Sequence, residues 1–188
     1  QVIGITQYDL QSNAAIDDRM AGSGSAVSAA WTMSLEQTPF NDRGTGYNFF
    51  DGNVWDESPY ERIESVRVGW PSIVHTGNGR EVVVSHPGID TPLHMAWRAA
   101  GSGAVWTEAS IPSDLVVGKL WPRMAAGGED GNTLHVICIT TPVANGGTIH
   151  QDQDGALLYY RSQDAGDTWD VTDMVFADLD SSAFANFS

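Results

Sequence analysis

The sequence carries a single cysteine, Cys138, in 188 residues, so no disulfide can form within the chain. Cys138 lies in the apolar run Leu134-His135-Val136-Ile137-Cys138-Ile139 and reads as a small buried hydrophobe on a strand, compatible with an oxidising or a reducing compartment. Cations are almost as scarce. Nine Lys and Arg stand against 24 Asp and Glu, a formal charge of -15. No cluster of basic residues could follow a phosphate backbone, which argues against a nucleic-acid partner. Long hydrophobic runs are missing too: none approaches the ~20 residues that cross a bilayer, so no membrane span is expected. No charged-then-apolar segment follows Gln1, so an export signal, if the protein has one, has already been removed. Amphipathic helical periodicity of useful length is also lacking.

What is present is aromatic and rich in turns. Hydrophobic residues make up 41% of the chain, with seven Trp, six Phe and five Tyr, too many for a disordered polypeptide. The length suffices for one domain and does not demand two. The tryptophans reveal repeats. A glycine precedes Trp by three residues in Gly52-Asn53-Val54-Trp55, Gly103-Ala104-Val105-Trp106 and Gly166-Asp167-Thr168-Trp169. Trp70-Pro71-Ser72 and Trp121-Pro122-Arg123 form a second marker in the same register, echoed near the N-terminus by Arg19-Met20-Ala21. Between the markers lie short β-type runs separated by Gly77-Asn78-Gly79, Pro87-Gly88, Asp130-Gly131-Asn132 and Asp154-Gly155.

Four short strands per unit of about 50 residues is the pattern of a propeller blade. The sequence therefore predicts an all-β fold: a partial β-propeller of about three and a half four-stranded blades, drawn from a six- or seven-bladed ring. The chain reads as a single partial propeller over 1-188, with blade 1 at about 1-57, blade 2 at about 61-110, blade 3 at about 115-176 and the start of blade 4 at about 180-188. So few blades cannot close a ring, and open strand edges invite aggregation. The expectation is a missing segment, or an additional chain, that completes the propeller.

Ser162-Gln163-Asp164-Ala165-Gly166-Asp167-Thr168-Trp169 fits Ser-x-Asp-x-Gly-x-Thr-Trp at every specified position. It resembles the Asp box of sialidase-like (BNR-repeat) propellers. That resemblance implies a structural hairpin on the rim, in which Ser162, Asp164, Gly166, Thr168 and Trp169 fix the turn and play no part in catalysis. The other two Trp hairpins have Phe50 and Gly101 where Asp164 stands. The stretch from Gly44 to Gly52, the two Trp-Pro openings and the stretch from Gly155 to Ser162 are similar to the N-terminal propeller region of large secreted Bacteroidota proteins exported by a type IX system. This likeness implies a secreted or cell-surface location.

Sialidases bring their first arginine in a Phe/Tyr-Arg-Ile-Pro strand, and no such motif occurs; Glu61-Arg62-Ile63-Glu64 lacks the proline. Arg19 and Arg123, expected on innermost strands, are the candidate ligand-binding pair, since two guanidiniums can clamp a carboxylate. Pairing with local acids such as Asp17, Asp18 or Glu129 is the competing reading. Asp152 and Asp154 are the candidate metal ligands, for calcium, although an ordinary acidic turn explains them as well. The five histidines lack metal-ligand spacing. Trp31, Trp97 and Trp106 offer stacking surfaces for sugars unless blade packing takes them. With a scaffold and no catalytic set, the expected function is a non-catalytic secreted or cell-surface module that binds a glycan or protein ligand or serves structural assembly. The alternatives are a sialidase-like glycoside hydrolase with its remaining catalytic residues outside this chain, and one half of a split propeller.

Overall fold

The computed structural model describes residues 1–11, 18–88, 91–101 and 103–184. Among the described residues eleven strands form three antiparallel sheets in chain order. The first holds β1 (Met20–Ser23), β2 (Ala26–Met33) and β3 (Gly44–Phe50). The second holds β4 (Gly69–His75), β5 (Arg80–His86), β6 (His94–Ala99) and β7 (Thr107–Ser110). The third holds β8 (Lys119–Gly127), β9 (Thr133–Thr140), β10 (Leu157–Ser162) and β11 (Val171–Met174). Each sheet is an antiparallel meander, and the sheets meet through their first two strands, β4 against β1 and β2, then β8 against β4 and β5. They are blades of a partial β-propeller. No helix among the described residues is long and apolar enough to cross a membrane.

Alternation places every second strand residue in one of two inter-blade cores. Val74, Val82, Val84 and Met95 of the second blade meet Met124, Leu134, Val136, Cys138, Leu158 and Tyr160 of the third. Ala30 and Tyr47 meet Ile73 and Val83 between the first and second. Cys138 is buried there, and burial pushes its thiol up to about 12, as expected of an inert core residue.

The first blade stops at three strands. Its fourth is reduced to a single bridge between Phe50 and Trp55, because Asp51 takes the amides of Asn53 and Val54 and folds the chain into a turn. Pro59, which lacks an N–H, follows soon after. The N-terminal segment covers this blade instead: Gln7 N donates to Ser34 O, and the Trp31 indole lies so close to Gly4 and Gly46 that a Cβ at either would strike it. Residues 180–184 form a turn on Asp180, while 185–188, the rest of the expected fourth-blade strand, lie outside the described residues.

Candidate ligand site at the strand bulges

The Asp box lies between β10 and β11. Ser162 Oγ donates to Asp164 Oδ1 and accepts from Gly166 N, both at 2.8 Å; Thr168 donates to Asp164 through N at 2.8 Å and Oγ1 at 2.6 Å. Partial burial opposes ionisation of Asp164, but these bonds win and hold its carboxyl below the ordinary range. Gly166 adopts φ +95°, and a Cβ there would meet Met95 Sδ of the second blade at 2.8 Å. Ala165 N donates to Asn132 O at 2.8 Å, and Arg80, at the start of β5, forks onto the Asp167 carboxylate at 2.7 and 3.1 Å. Trp169 stands edge-on to Tyr160. The hairpin thus clamps blade three to blade two. Asp164→Ala removes the acceptor for both Thr168 bonds, so a loss of about 2 kcal/mol is expected. Urea unfolding that leaves the variant within about 0.5 kcal/mol of the parent, the ordinary range of a surface change, would sink the clamp.

A second polar cluster joins blades one and two. Glu81 on β5 is fully buried between its cross-strand neighbours His75 and Arg98. Its Oε2 accepts from Arg98 Nε at 3.0 Å, and its Oε1 from Tyr47 at 2.5 Å and from Ser28 Oγ. His75 Nε2 lies 2.8 Å from Ser28 Oγ. Burial alone would raise the Glu81 carboxyl; the bonds from His75, Ser28, Tyr47 and Arg98 overcome it and bring it to about 2. The Tyr47 phenol is pushed up by burial and by Glu81, which makes it a poor nucleophile. Arg98 is held between Tyr47 and Trp106, 4.5 Å from each ring.

The cavity with ligand chemistry is elsewhere. About 370 Å³ in volume, it opens where chain enters β4 and β8 and leaves β5 and β9, on one face of the blades. The two Trp-Pro markers build its floor. Pairing of β4 with β5 shifts between Gly69 and Ser72, and pairing of β8 with β9 shifts between Leu120 and Arg123. At each bulge the tryptophan is left-handed, with φ 52° at Trp70 and 53° at Trp121. A bulky residue there is strained by about 1–3 kcal/mol. Each bulge is tied to the preceding blade: Trp70 N donates to Thr32 Oγ1, and Trp121 N to His86 Nδ1, both at 3.2 Å.

That bond fixes the His86 tautomer. Nδ1 accepts, so the ring proton sits on Nε2. Burial first, then the nearby Arg43 and Arg67, lowers the imidazole to about 3, and it stacks on Trp70 with ring centroids 5.1 Å apart. Arg43 donates from Nε to Val68 O at 2.9 Å and lies 5.3 Å over Trp70; Arg67 donates from Nε to Phe40 O at 2.9 Å. Among the described residues neither arginine has a carboxylate partner. Trp70 Nε1 and Thr141 Oγ1, in the cavity wall, are buried without a hydrogen-bond partner.

The expected ligand pair is not what the structure gathers here. Arg19, just before β1, donates from Nη2 to Gln11 O and lines an apolar cavity beside Trp31; Arg123, on β8, donates from Nη1 to Trp121 O. Arg43 and Arg67 share the bulge cavity instead. Asp154 accepts from Val143 N, Asp152 sits in the turn after β9 with φ 61°, and no group of three or more potential metal ligands occurs among the described residues. Trp31, Trp97 and Trp106 all pack within or against the blades, which leaves half-buried Trp121 as the aromatic surface at the cavity.

No protein-family model matches the chain, and no curated protein does. Among solved structures it is similar to the Bacteroides ovatus xyloglucan PUL protein GH43B, with 12% identity and TM-score 0.52 over 93% of this chain and 34% of that one. It is also similar to a xylan beta-1,4-xylosidase from Bacillus halodurans (14% identity, TM-score 0.49, 95% and 35%) and an alpha-L-arabinofuranosidase from Lactobacillus brevis (14% identity, TM-score 0.49, 92% and 60%). The likeness to GH43B shows the propeller fold. This chain spans about a third of that protein's length.

Proposed function

We propose that the chain is part of a non-catalytic, secreted or cell-surface propeller that binds a glycan in the cavity between the two Trp-Pro bulges. The observation that carries the reading is the cavity itself: two strained tryptophans and a neutral imidazole line it. Strain of that kind collects at functional sites. Glycoside hydrolysis by the usual route needs a pair of carboxyl groups, and none of the described residues lining the cavity supplies one. The name of the xyloglucan protein from Bacteroides ovatus supports the ligand class. The Asp-box hairpin supports kinship with sialidase-like propellers.

The test is a screen of oligosaccharides by calorimetry, paired with an assay for released reducing sugar. Binding without hydrolysis is expected, with at least about tenfold loss on Trp121→Ala, the weight of one stacked indole. Turnover would favour the hydrolase alternative, and no binding to any sugar would end the glycan reading.

A second reading, completion of the ring by further blades, rests on one comparison. Val84, in the middle of β5, is fully buried by blade three, whereas Ile137, its counterpart on β9, is 36% exposed. A further blade, from this protein's own continuation or another chain, would cover Ile137 as blade three covers Val84.

A further inference from the structure

We infer that the sugar taken by the bulge cavity is anionic, carrying a carboxylate or sulfate that docks between Arg43 and Arg67. This rests on the glycan reading above and names its ligand class. The charge -15 leaves nine cations in the whole chain, and two of them line this one cavity, where no lining residue among those described is acidic. Like charges repel, so gathering them without a carboxylate is unfavourable unless an anion joins them. Arg43 feels that repulsion: burial, then Arg67, lowers its pKa.

The side chains are also aimed. The Nε bond of Arg43 to Val68 O, and the bonds of Arg67 from Nε to Phe40 O and from Nη2 to Pro39 O, hold both guanidiniums in place, with Arg67 Nη1 left to reach an oxyanion. His86 adds a neutral N–H donor that does not change state near neutral pH. Half-buried Trp121 gives the apolar face of a sugar a surface. Acidic residues elsewhere repel the same ligand, so its anionic group is accepted here and excluded around it.

Calorimetry with three probes tests the inference: an oligogalacturonate for the carboxylate, a sulfated galactan oligosaccharide for the sulfate, and a neutral xylo-oligosaccharide. At least one anionic probe is expected to bind about tenfold or more tightly than the neutral one, the weight of one charge-assisted contact, and to weaken as salt rises. Which anionic probe binds decides between carboxylate and sulfate. Exposed Arg67→Gln should lose about tenfold, and Arg43→Lys, which keeps charge but not the fork, should also lose affinity. Arg161→Gln, the same charge change on an arginine paired with Asp170 outside the cavity, should not. Equal affinity for all three probes overturns the anionic inference and leaves glycan binding standing. Failure of all three probes overturns both. Undiminished binding by Arg67→Gln and Arg43→Lys, with melting curves matching the parent, overturns the assignment to this cavity.

Discussion

Glu81→Ala is expected to destabilise the chain by about 4 kcal/mol, because removing one partner of a buried ion pair strands the other. Arg98 would remain between the Tyr47 and Trp106 rings with its carboxylate gone, while Tyr47 and Ser28 would lose the acceptor they share. For a chain of this length that loss lowers Tm by roughly 8–16 °C. Glu81→Gln, similar in shape but uncharged, should fall between parent and alanine, since its amide can still accept from Tyr47 but no longer balances Arg98. The cluster joins residues of two blades, so protection of β2 and β3 amides from hydrogen exchange should fall more than protection of β9 and β10. An alanine variant that unfolds within about 1 kcal/mol of the parent, the size of a typical single-mutation effect, would refute this account of how blades one and two are joined.

Little of that cluster was legible in the sequence. Glu81 opens an apolar run, and its partners Ser28, Tyr47, His75 and Arg98 are scattered over 71 positions on four other strands. The features that could be read were local. The Asp box closes within eight residues, and its bonds run among Ser162, Asp164, Gly166 and Thr168 as the motif implies. The Trp-Pro spacing marked equivalent places because each bulge is made by its own residues. Its link to the preceding blade was hidden, since Thr32 and His86 do one task, accepting a tryptophan amide, with unlike groups. Blade one illustrates the same limit: with Phe50 at the Asp164 position the Asp box is lost, yet Asp51, one residue on, captures two turn amides and ends the sheet early. Arg43 and Arg67 come together only because the chain entering β3 runs beside the chain entering β4, as the bond from Val68 N to Arg43 O records.

The second large effect concerns acid. His86 has an ordinary pKa of 6.5 when unfolded and about 3 when folded, because burial and the two neighbouring arginines exclude its proton. Its contribution is fully present above pH 6.5. Below that the unfolded chain takes up a proton that the native ring refuses until about pH 3, so stability falls as pH falls through this window. Between pH 6.5 and 4.5 the loss is about 2–3 kcal/mol, at 1.36 kcal/mol per unit. Glu81 acts lower: its folded value of about 2 lies beneath its ordinary 4.5, and its contribution disappears only between those limits. Buried Glu64, raised by desolvation, has the opposite sign, since acidification relieves its charge. These carboxylates are common to parent and variant and cancel in the difference. His86→Asn places a non-titrating oxygen near Nδ1, where it can still accept from Trp121 N. Its stability relative to the parent should therefore improve by about 2–3 kcal/mol from pH 7 to pH 4.5, whatever the substitution costs at pH 7. Urea midpoints that fall in parallel for the two proteins over that range would show that His86 already carries its proton in the native state, and that the cavity holds a third cation.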